Sequence, residues 1–299
     1  MKKKFSILLI FAVVVSLALA GCGDGEKSSK KKPDTLSKQL RCVTLKDSAG
    51  DKVLANLSGK YDINSYSNFK DAEKRIENGS FDVAILPAGM LSKLYGKSKG
   101  NLVEVSPITL DGVYVLASGW ANDSVKLGTL RGLKINSYGE STTAELILLK
   151  SMTEHNLSTY RVSFEYFYNQ KDLEEKMKEY GAFCIASEPY ATKIYKISGV
   201  NRVLNLSEKY NEKEKVSVPS EVLAVSKKLL KESPDDVEVL VKDFEKAVSN
   251  TKIKNTKLVF YGQSNRGINI LKKFNDSLKH GLPEMFPKGG FPSDFYYER

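Results

Sequence analysis

Apolar residues recur along the chain in two patterns, short continuous runs and stripes at helical spacing. The runs predict strands buried on both faces, and the stripes predict amphipathic helices. The predicted strands are residues 40–45, 61–65, 82–86, 102–105, 113–117, 133–136, 162–167, 182–186 and 222–225. The predicted helices are residues 48–57, 68–78, 142–155, 171–180 and 189–197, and a largely helical remainder with a helix start at Ser233-Pro234. This alternation is typical of an α/β fold.

A weak internal repeat relates the first half of the chain to the second. Residues 70–87 and 171–189 both have Lys-Asp in a predicted helix, then a glycine, an apolar strand and a closing proline. A self-match over such a long period predicts two lobes of similar fold. A chance likeness between two α/β units is the alternative interpretation.

The first residues have the parts of a bacterial lipoprotein signal. Three lysines precede an apolar run over residues 5–20, which ends in Leu19-Ala20-Gly21-Cys22. The run is short for a membrane span, and small residues before a cysteine are typical of a lipobox. We expect residues 1–21 to be a cleaved lipoprotein signal peptide and Cys22 to carry diacylglycerol and palmitate. An ordinary signal peptide with a chance cysteine is the alternative.

Residues 22–38 are then a lipid anchor and flexible tether, because residues 23–33 contain no apolar side chain to bury. The lipid would hold the protein at the cell membrane, on its extracytoplasmic face, in a periplasm or on a Gram-positive surface. Lys30 to Lys32 lie in this tether, where they either attract anionic lipid headgroups or keep the spacer solvated.

Composition limits the other partners. The formal charge of +10 falls to +7 once residues 1–21 and their three lysines are removed. The remaining lysines are scattered between acidic residues, which does not favour nucleic-acid binding. Cys42 and Cys184 lie in apolar strands of different predicted lobes, so we expect two buried thiols instead of a disulfide.

Residues suited to catalysis are sparse. His155 and His280 lie far apart near helix ends, with no candidate nucleophile beside them. Residues 139–143 resemble a nucleophile elbow but lack its last glycine. No spacing typical of a zinc site, a calcium loop or a phosphate-binding loop is present. We therefore expect no enzyme activity, no metal and no cofactor.

The ends of the predicted strands carry small, hydroxylated or aromatic residues. In α/β sheets, ligands bind beyond the carboxyl ends of the strands, and such side chains suit contact with a small molecule. Each of them is also common as a helix cap or turn residue. The candidate ligand-binding residues are Lys46, Asp47, Ser48, Tyr66, Pro87, Ala88, Tyr138, Glu140, Ser141, Thr142, Glu188 and Tyr190.

Several segments together resemble one protein family. They are Lys46-Asp47-Ser48-Ala49-Gly50, residues 82–87, residues 130–135, Ser187-Glu188-Pro189-Tyr190 with residues 191–193, and residues 290–297. These segments resemble ABC-transporter substrate-binding lipoproteins of the nitrate/sulfonate/taurine and thiamine-precursor group, which have the type 2 periplasmic-binding-protein fold. The resemblance covers residues 39–299. Thr129-Leu130-Arg131-Gly132 departs from the Asp-Leu-Lys-Gly usual in the group, and the first helix lacks the aromatic-rich opening of the sulfonate binders.

The resemblance implies an α/β fold of two lobes, each a central sheet flanked by helices, joined by a double-crossing hinge. Lobe 1 would comprise residues 40–117 and 222–299, and lobe 2 residues 118–221. It also implies a monomer that captures a small organic solute between its lobes and delivers it to an ABC permease and ATPase. Because a fold does not fix function, two alternatives stay open: an enzyme resembling one of thiamine-pyrimidine synthesis, and a lipid-anchored sensor or interaction protein.

The candidate residues favour a nitrogen heterocycle or amine as ligand over a sulfonate or nitrate. None of the seven arginines lies in a predicted mouth loop, and Lys46 is the one lysine there. Aromatic faces beside carboxylates suit amino groups or a positive charge. The aromatic faces are those of Tyr66, Tyr138 and Tyr190, and the carboxylates are those of Asp47, Glu140 and Glu188. Alternatively, the acids only face helix N-termini and the tyrosines line a dry rim.

Replacement of the lipobox cysteine tests the anchor. We expect Cys22→Ala to accumulate as an uncleaved precursor without diacylglycerol, while the folded domain is unchanged, because the thiol is the acceptor of the lipid. Mass spectrometry of the intact protein from membranes measures this. Mature wild-type protein with an unmodified Cys22 would contradict the prediction.

Overall fold

The computed structural model of the protein describes residues 34–157, 162–262 and 264–298. The predicted signal peptide, Cys22 and the tether up to residue 33 lie outside these residues. Within the described residues, no helix has the length and apolar character needed to cross a membrane.

Two β-sheets with flanking helices make up the described chain. The strands are β1 (Arg41–Leu45), β2 (Asp62–Tyr66), β3 (Val83–Pro87), β4 (Val103–Leu110), β5 (Val113–Ser118), β6 (Lys134–Tyr138), β7 (Ser163–Phe167), β8 (Phe183–Ser187), β9 (Val200–Asn205), β10 (Pro219–Val225) and β11 (Lys257–Leu258). The helices are α1 (Ala49–Ala55), α2 (Phe69–Glu77), α3 (Ala88–Lys97), α4 (Thr143–Glu154), α5 (Gln170–Lys176), α6 (Tyr190–Tyr195), α7 (Leu206–Glu214), α8 (Lys227–Glu232), α9 (Pro234–Asn250) and α10 (Asn265–Gly281).

The two sheets repeat one topology. The first has the order β11-β4-β10-β3-β1-β2, with β1 parallel to β2 and β3, and β10 antiparallel to β3 and β4. The second has the order β7-β6-β8-β5-β9, with β6 parallel to β7 and β8, and β5 antiparallel to β8 and β9. The internal repeat predicted from the sequence is therefore confirmed as two similar α/β lobes.

The chain crosses between the sheets twice, and Asp111 joins the two crossings. The N–H of Asp111 donates to the carbonyl of Val218 at 2.7 Å, and its carboxylate accepts from the N–H of Val218 at 3.1 Å. Its carbonyl accepts from the hydroxyl of Ser220 at 2.6 Å. Asp111 and Gly112 have φ of 62° and 69°, a conformation that lets the chain turn between sheets. The two connections thus form one hydrogen-bonded unit.

Strand β5 differs in position from the sequence-based prediction. The prediction places residues 40–117 in lobe 1, but β5 pairs with β8 and β9 of the second sheet. Likewise, β10 begins at Pro219 in the first sheet, although the prediction places residues up to 221 in lobe 2. An apolar run shows that a strand is buried but not which sheet it joins, and both strands directly follow a crossing.

Four elements are absent from the sequence-based prediction: α3, β9, α7 and the two-residue strand β11, which lies in the stretch predicted to be largely helical. Helix α3 begins immediately after β3 and contains Gly89, which weakens its helical pattern. That glycine is needed because a Cβ there would lie 2.5 Å from the carbonyl oxygen of Ser141. Strand β9 contains Asn201 and Arg202, so its apolar pattern is interrupted.

Side-chain caps confirm the predicted helix starts at Ser48 and Thr142, whereas Ser233, the predicted cap of α9, makes no side-chain cap hydrogen bond. Ser48 accepts from the N–H of Asp51 at 3.1 Å, and Thr142 accepts from the N–H of Glu145 at 3.3 Å. The predicted capping box forms in part, because the carboxylate of Glu145 accepts from the N–H of Ser141 at 2.8 Å instead of that of Thr142.

Apolar packing covers both faces of the first sheet. One cluster is shared with the second sheet and its helix α4. The other cluster includes the predicted stripe of α9, which is buried as expected: Val237, Leu240, Phe244 and Val248. Ser37 donates through its N–H and hydroxyl to the carboxylate of Asp236, at 2.7 and 2.6 Å. Ordered packing thus begins before residue 38, the predicted end of the tether.

Strand β4 carries a fully buried carboxyl group, that of Glu104. Asn275 donates to its Oε2 at 3.2 Å, while its Oε1 has no hydrogen-bond partner in residues 34–157, 162–262 and 264–298. Burial raises the pKa of Glu104 from 4.5 to about 8. The folded protein therefore holds a proton that the unfolded chain releases at lower pH.

Replacement of this carboxyl tests the assignment. Because the folded-state pKa is raised, stability falls as the pH rises from 4.5 through about 8. We expect Glu104→Gln to reduce this fall by about 1 kcal/mol or more, which is about 2–4 °C in Tm for a chain of this size. Thermal unfolding between acidic and alkaline pH measures it. Equal pH slopes in variant and wild type would show that Glu104 is not buried as described.

Candidate functional site

The carboxyl ends of the parallel strands in the two sheets face each other across a cleft. Strands β1 and β3 end there from the first sheet, and β6 and β8 end there from the second. Between them lies a cavity of about 70 Å³, which we call the cleft cavity. The predicted residues in its wall are Ser48, Pro87, Tyr138, Thr142, Glu188 and Tyr190.

The other predicted residues lie outside this wall, and several join the two sides of the cleft. The carbonyl of Lys46 accepts from Nε2 of Gln170 at 2.8 Å, and Asp47 pairs with Lys193 at 3.2 Å. Glu140 pairs with Lys93 at 3.0 Å. The remaining three residues away from the wall are Tyr66, Ala88 and Ser141.

The cavity wall also contains residues that were not among the predicted site residues, including Phe69, Gln170, Ser220 and Glu221. Phe69 and Gln170 are the first residues of α2 and α5, each after an asparagine cap, so the internal repeat carries a signal for both. Glu221 directly precedes the predicted strand 222–225 and carries no such signal.

Aromatic rings form one side of the cavity. The rings of Tyr138 and Tyr190 lie 5.6 Å apart between centroids, and Phe69 meets Tyr138 edge-on at 5.6 Å. The hydroxyl of Tyr138 donates to the carbonyl of Ser67 at 3.0 Å, and that of Tyr190 donates to the carbonyl of Gln170 at 3.0 Å. Burial raises the pKa of both tyrosines, so both are neutral and rigidly held.

The two sides of the cleft touch directly at the start of helices α2 and α5. The N–H of Phe69 donates to the carbonyl of Tyr168 at 2.9 Å, and the caps Asn68 and Asn169 form a β-bridge. Lys93 bonds both Glu73, at 3.1 Å, and Glu140. The cleft is therefore closed, by backbone contact as well as by ion pairs.

Glu140 is the acidic centre of this ion-pair group. It accepts from the hydroxyl of Tyr168 at 2.6 Å, and Lys70 lies 3.7 Å away. The hydrogen bond from Tyr168 and the ammonium of Lys93 lower the pKa of Glu140 to about 2. Because the pKa is depressed, the contribution to closure is present at neutral pH and is lost as the pH falls through about 2.

Glu188 lines the cavity, but its charge is already paired with that of Arg202, which lies outside the cavity wall. Its carboxylate bonds the guanidinium of Arg202 and accepts from the N–H of Thr192 at 2.9 Å. Arg202 is held between the rings of Tyr114 and Tyr195, 4.8 Å from each centroid. Burial raises the pKa of Glu188, while Thr192 and Arg202 act against that rise.

Glu221 projects from β10 into the same wall without a cationic partner among the residues that line it. Its carboxylate accepts from the N–H groups of Gly50 at 2.8 Å and Ala49 at 3.2 Å, at the start of α1. Burial raises its pKa from 4.5 to about 7. Polar contacts thus hold the group in place, yet its charge is only partly compensated.

Metal binding and thiol chemistry find little support. In the described part of the chain, no cluster of three or more His, Cys, Asp or Glu side chains could hold a metal ion. Cys42 and Cys184 are free and buried, and burial raises the pKa of both thiols. A protonated, inaccessible thiol is a poor nucleophile.

Solved structures with similar folds come from several binding proteins. The ligand-binding component of an ABC-type import system from Staphylococcus aureus, solved with zinc bound, is 14% identical, covers 86% of this chain and 98% of its own, and has a TM-score of 0.62. The alkanesulfonate-binding protein SsuA from Xanthomonas axonopodis pv. citri, bound to MOPS, is 12% identical, covers 90% and 99%, and has a TM-score of 0.59.

A third similar structure is the Candida albicans CA3427 gene product, described as having the generic periplasmic binding protein structural fold. It is 13% identical, covers 82% of this chain and 90% of its own, and has a TM-score of 0.56. No protein-family model and no curated protein matches the chain. At these identities the likeness establishes the fold. The chain has the two-lobed periplasmic-binding-protein fold, as predicted.

Removal of one cross-cleft ion pair tests the closed arrangement. We expect Glu140→Gln to raise the ratio of open to closed molecules up to about fivefold, since a partly exposed pair contributes at most about 1 kcal/mol. Distances between spin labels at exposed positions on the two sides measure the ratio. The matched control is Glu77→Gln, because the Glu77–Lys97 pair joins α2 and α3 on one side of the cleft. Equal opening in both variants would contradict the assignment.

Proposed function

We propose that the protein is the lipid-anchored solute-binding component of an ABC importer. The observation that carries the proposal is the cleft cavity, because it lies where the strand ends of two similar sheets meet and is lined from both. Ligands of open α/β sheets bind at that edge. The similar proteins of S. aureus and X. axonopodis, described as an import component and a sulfonate-binding protein, support the same class.

The proposed lobes follow the sheet pairing. Lobe 1 comprises residues 40–111 and 219–298, and lobe 2 comprises residues 112–218, so that β5 and β10 fall with their partner strands. A solute that bonds both lobes stabilises the closed state only by the contacts it gains there. The closed monomer would then dock on its permease and ATPase at the extracytoplasmic face of the cell membrane.

The proposed solute is small and organic, with a nitrogen heterocycle or amine favoured over a sulfonate or nitrate. The described part of the cavity wall carries two carboxyl groups, of Glu188 and Glu221, and no lysine, arginine or histidine. The tyrosine rings supply faces for stacking or cation–π contact. A sulfonate would meet no cationic side chain in this wall, although charge-assisted bonds are the strong ones for such anions.

Uptake in cells tests the function and identifies the solute in the same experiment. We expect deletion of the gene to leave one solute in the growth medium that the wild-type strain depletes, because capture precedes import. Mass spectrometry of spent medium identifies it. Wild-type protein should restore depletion, while Tyr138→Ala and Tyr190→Ala should reduce it about tenfold or more, as expected for the loss of a buried aromatic contact.

The matched control is Tyr180→Ala, since Tyr180 is 88% exposed and lies outside the cavity wall. It should restore depletion fully. The proposal fails if no solute distinguishes the deletion strain, or if the two cavity variants restore uptake like the control. Turnover of a solute by the purified protein without an ATPase would favour the enzyme alternative.

A further inference from the structure

Most side-chain donors in the cavity wall already donate to protein carbonyls. The hydroxyls of Tyr138, Tyr190, Ser137 and Ser220 and the amide of Gln170 all do so. The hydroxyl of Ser48 is already hydrogen-bonded to Thr44, at 3.1 Å, and to the Glu221 carboxylate, whereas those of Thr142 and Ser187 can each donate or accept. The carboxylates of Glu188 and Glu221 also accept from the protein, but a carboxylate has about four acceptor sites, so further N–H groups from a ligand can still bond there.

The carboxyl groups in the cavity wall also favour a ligand with N–H groups, in particular a cation. Glu188 is paired with Arg202, whereas Glu221 faces the cavity and accepts from backbone N–H groups of α1. An anion placed in the cavity would meet two carboxyl groups in a site of low polarity, which is a costly arrangement. A cation would instead complete a buried ion pair with Glu221.

We propose that the solute is a compact organic cation, such as an amidinium, guanidinium or ammonium compound, whose charged N–H groups bond Glu221 while it lies against the rings of Tyr138 and Tyr190. The inference rests on the proposed solute-binding function and names its ligand class. The cavity of about 70 Å³ limits the size of the solute. One buried water needs about 10–15 Å³ of such space, so the cavity has room for several waters or for one compact molecule.

Binding of such a cation is coupled to loss of a proton. With a pKa of about 7, the carboxyl of Glu221 is partly protonated at neutral pH, and an adjacent cation favours the carboxylate. The proton leaves for solvent as the cation enters. The other titratable groups around it are Asp51 of α1, whose charge also raises the pKa of Glu221, and Glu188, Tyr138 and Tyr190 in the facing wall. Thr109 of β4 is its neutral neighbour, accepting from the N–H of Glu221 at 2.9 Å.

Two sets of isosteric probes test the charge preference. Acetamidinium, acetamide and acetate share one shape, and guanidinium, urea and nitrate share another, while their charges differ. Calorimetric titration of the purified protein should show binding of both cations and no binding of the neutral or anionic probes. Affinity should rise about tenfold between pH 6 and pH 8, because the carboxyl titrates near pH 7.

Two glutamine variants locate the effect. Glu221→Gln should weaken cation binding about thirtyfold or more and remove its pH dependence, as expected when one partner of a buried charge pair is removed. Glu104→Gln is the matched control, because Glu104 is equally buried in the same sheet but lies outside the cavity wall. It should bind like wild type, and circular dichroism confirms that both variants fold.

Binding of acetate or nitrate in preference to their cationic isosteres would overturn the inference. So would unchanged cation binding by Glu221→Gln, or binding of none of the six probes, since the cavity admits molecules of this size. The proposed import function is separately tested by solute depletion in cells. If the wild-type strain depletes an anionic solute and the deletion strain does not, the import function is supported and the proposal of a cationic solute is wrong.

Discussion

The hydrogen bond from the N–H of Phe69 to the carbonyl of Tyr168 joins the two halves of the molecule at the mouth of the cleft. It lies beside the β-bridge between Asn68 and Asn169, which cap equivalent helices of the two lobes. In the closed arrangement, in which these caps meet, Phe69, Tyr138 and Gln170 surround a common space. The site is thus a product of closure, and each lobe alone presents half of it.

Closure combines apolar packing and hydrogen bonds with ion pairs that are individually weak, and weak ion pairs suit a binding protein that must also open. The ion pairs of Glu140 and Asp47 are partly exposed, and such pairs contribute little each. On the other side, Asp111 holds the two crossings together through several hydrogen bonds. Because several hydrogen bonds hold the hinge while the ion pairs at the mouth are weak, a modest gain in ligand contacts decides between the open and closed states.

Alternation of strands and helices and the helix caps predicted an α/β fold because both depend on local pattern, and the internal repeat predicted two similar lobes. The double crossing between the lobes followed only from the family resemblance. The sheet to which β5 belongs depends on pairing after a chain crossing, which local pattern does not encode. Half of the predicted site residues line the cavity, since strand ends converge by topology. Glu221 was not predicted because it enters the site through contact between β10 and the start of α1, which lie far apart in the sequence.

A crystal structure of the protein with the solute that it binds in cells would show whether the closed cavity holds that solute against Glu221. We predict one small molecule against the rings of Tyr138 and Tyr190, with an N–H group within about 3 Å of the Glu221 carboxylate. A solute bound elsewhere, or one that turns an anionic group toward Glu221, would contradict this prediction.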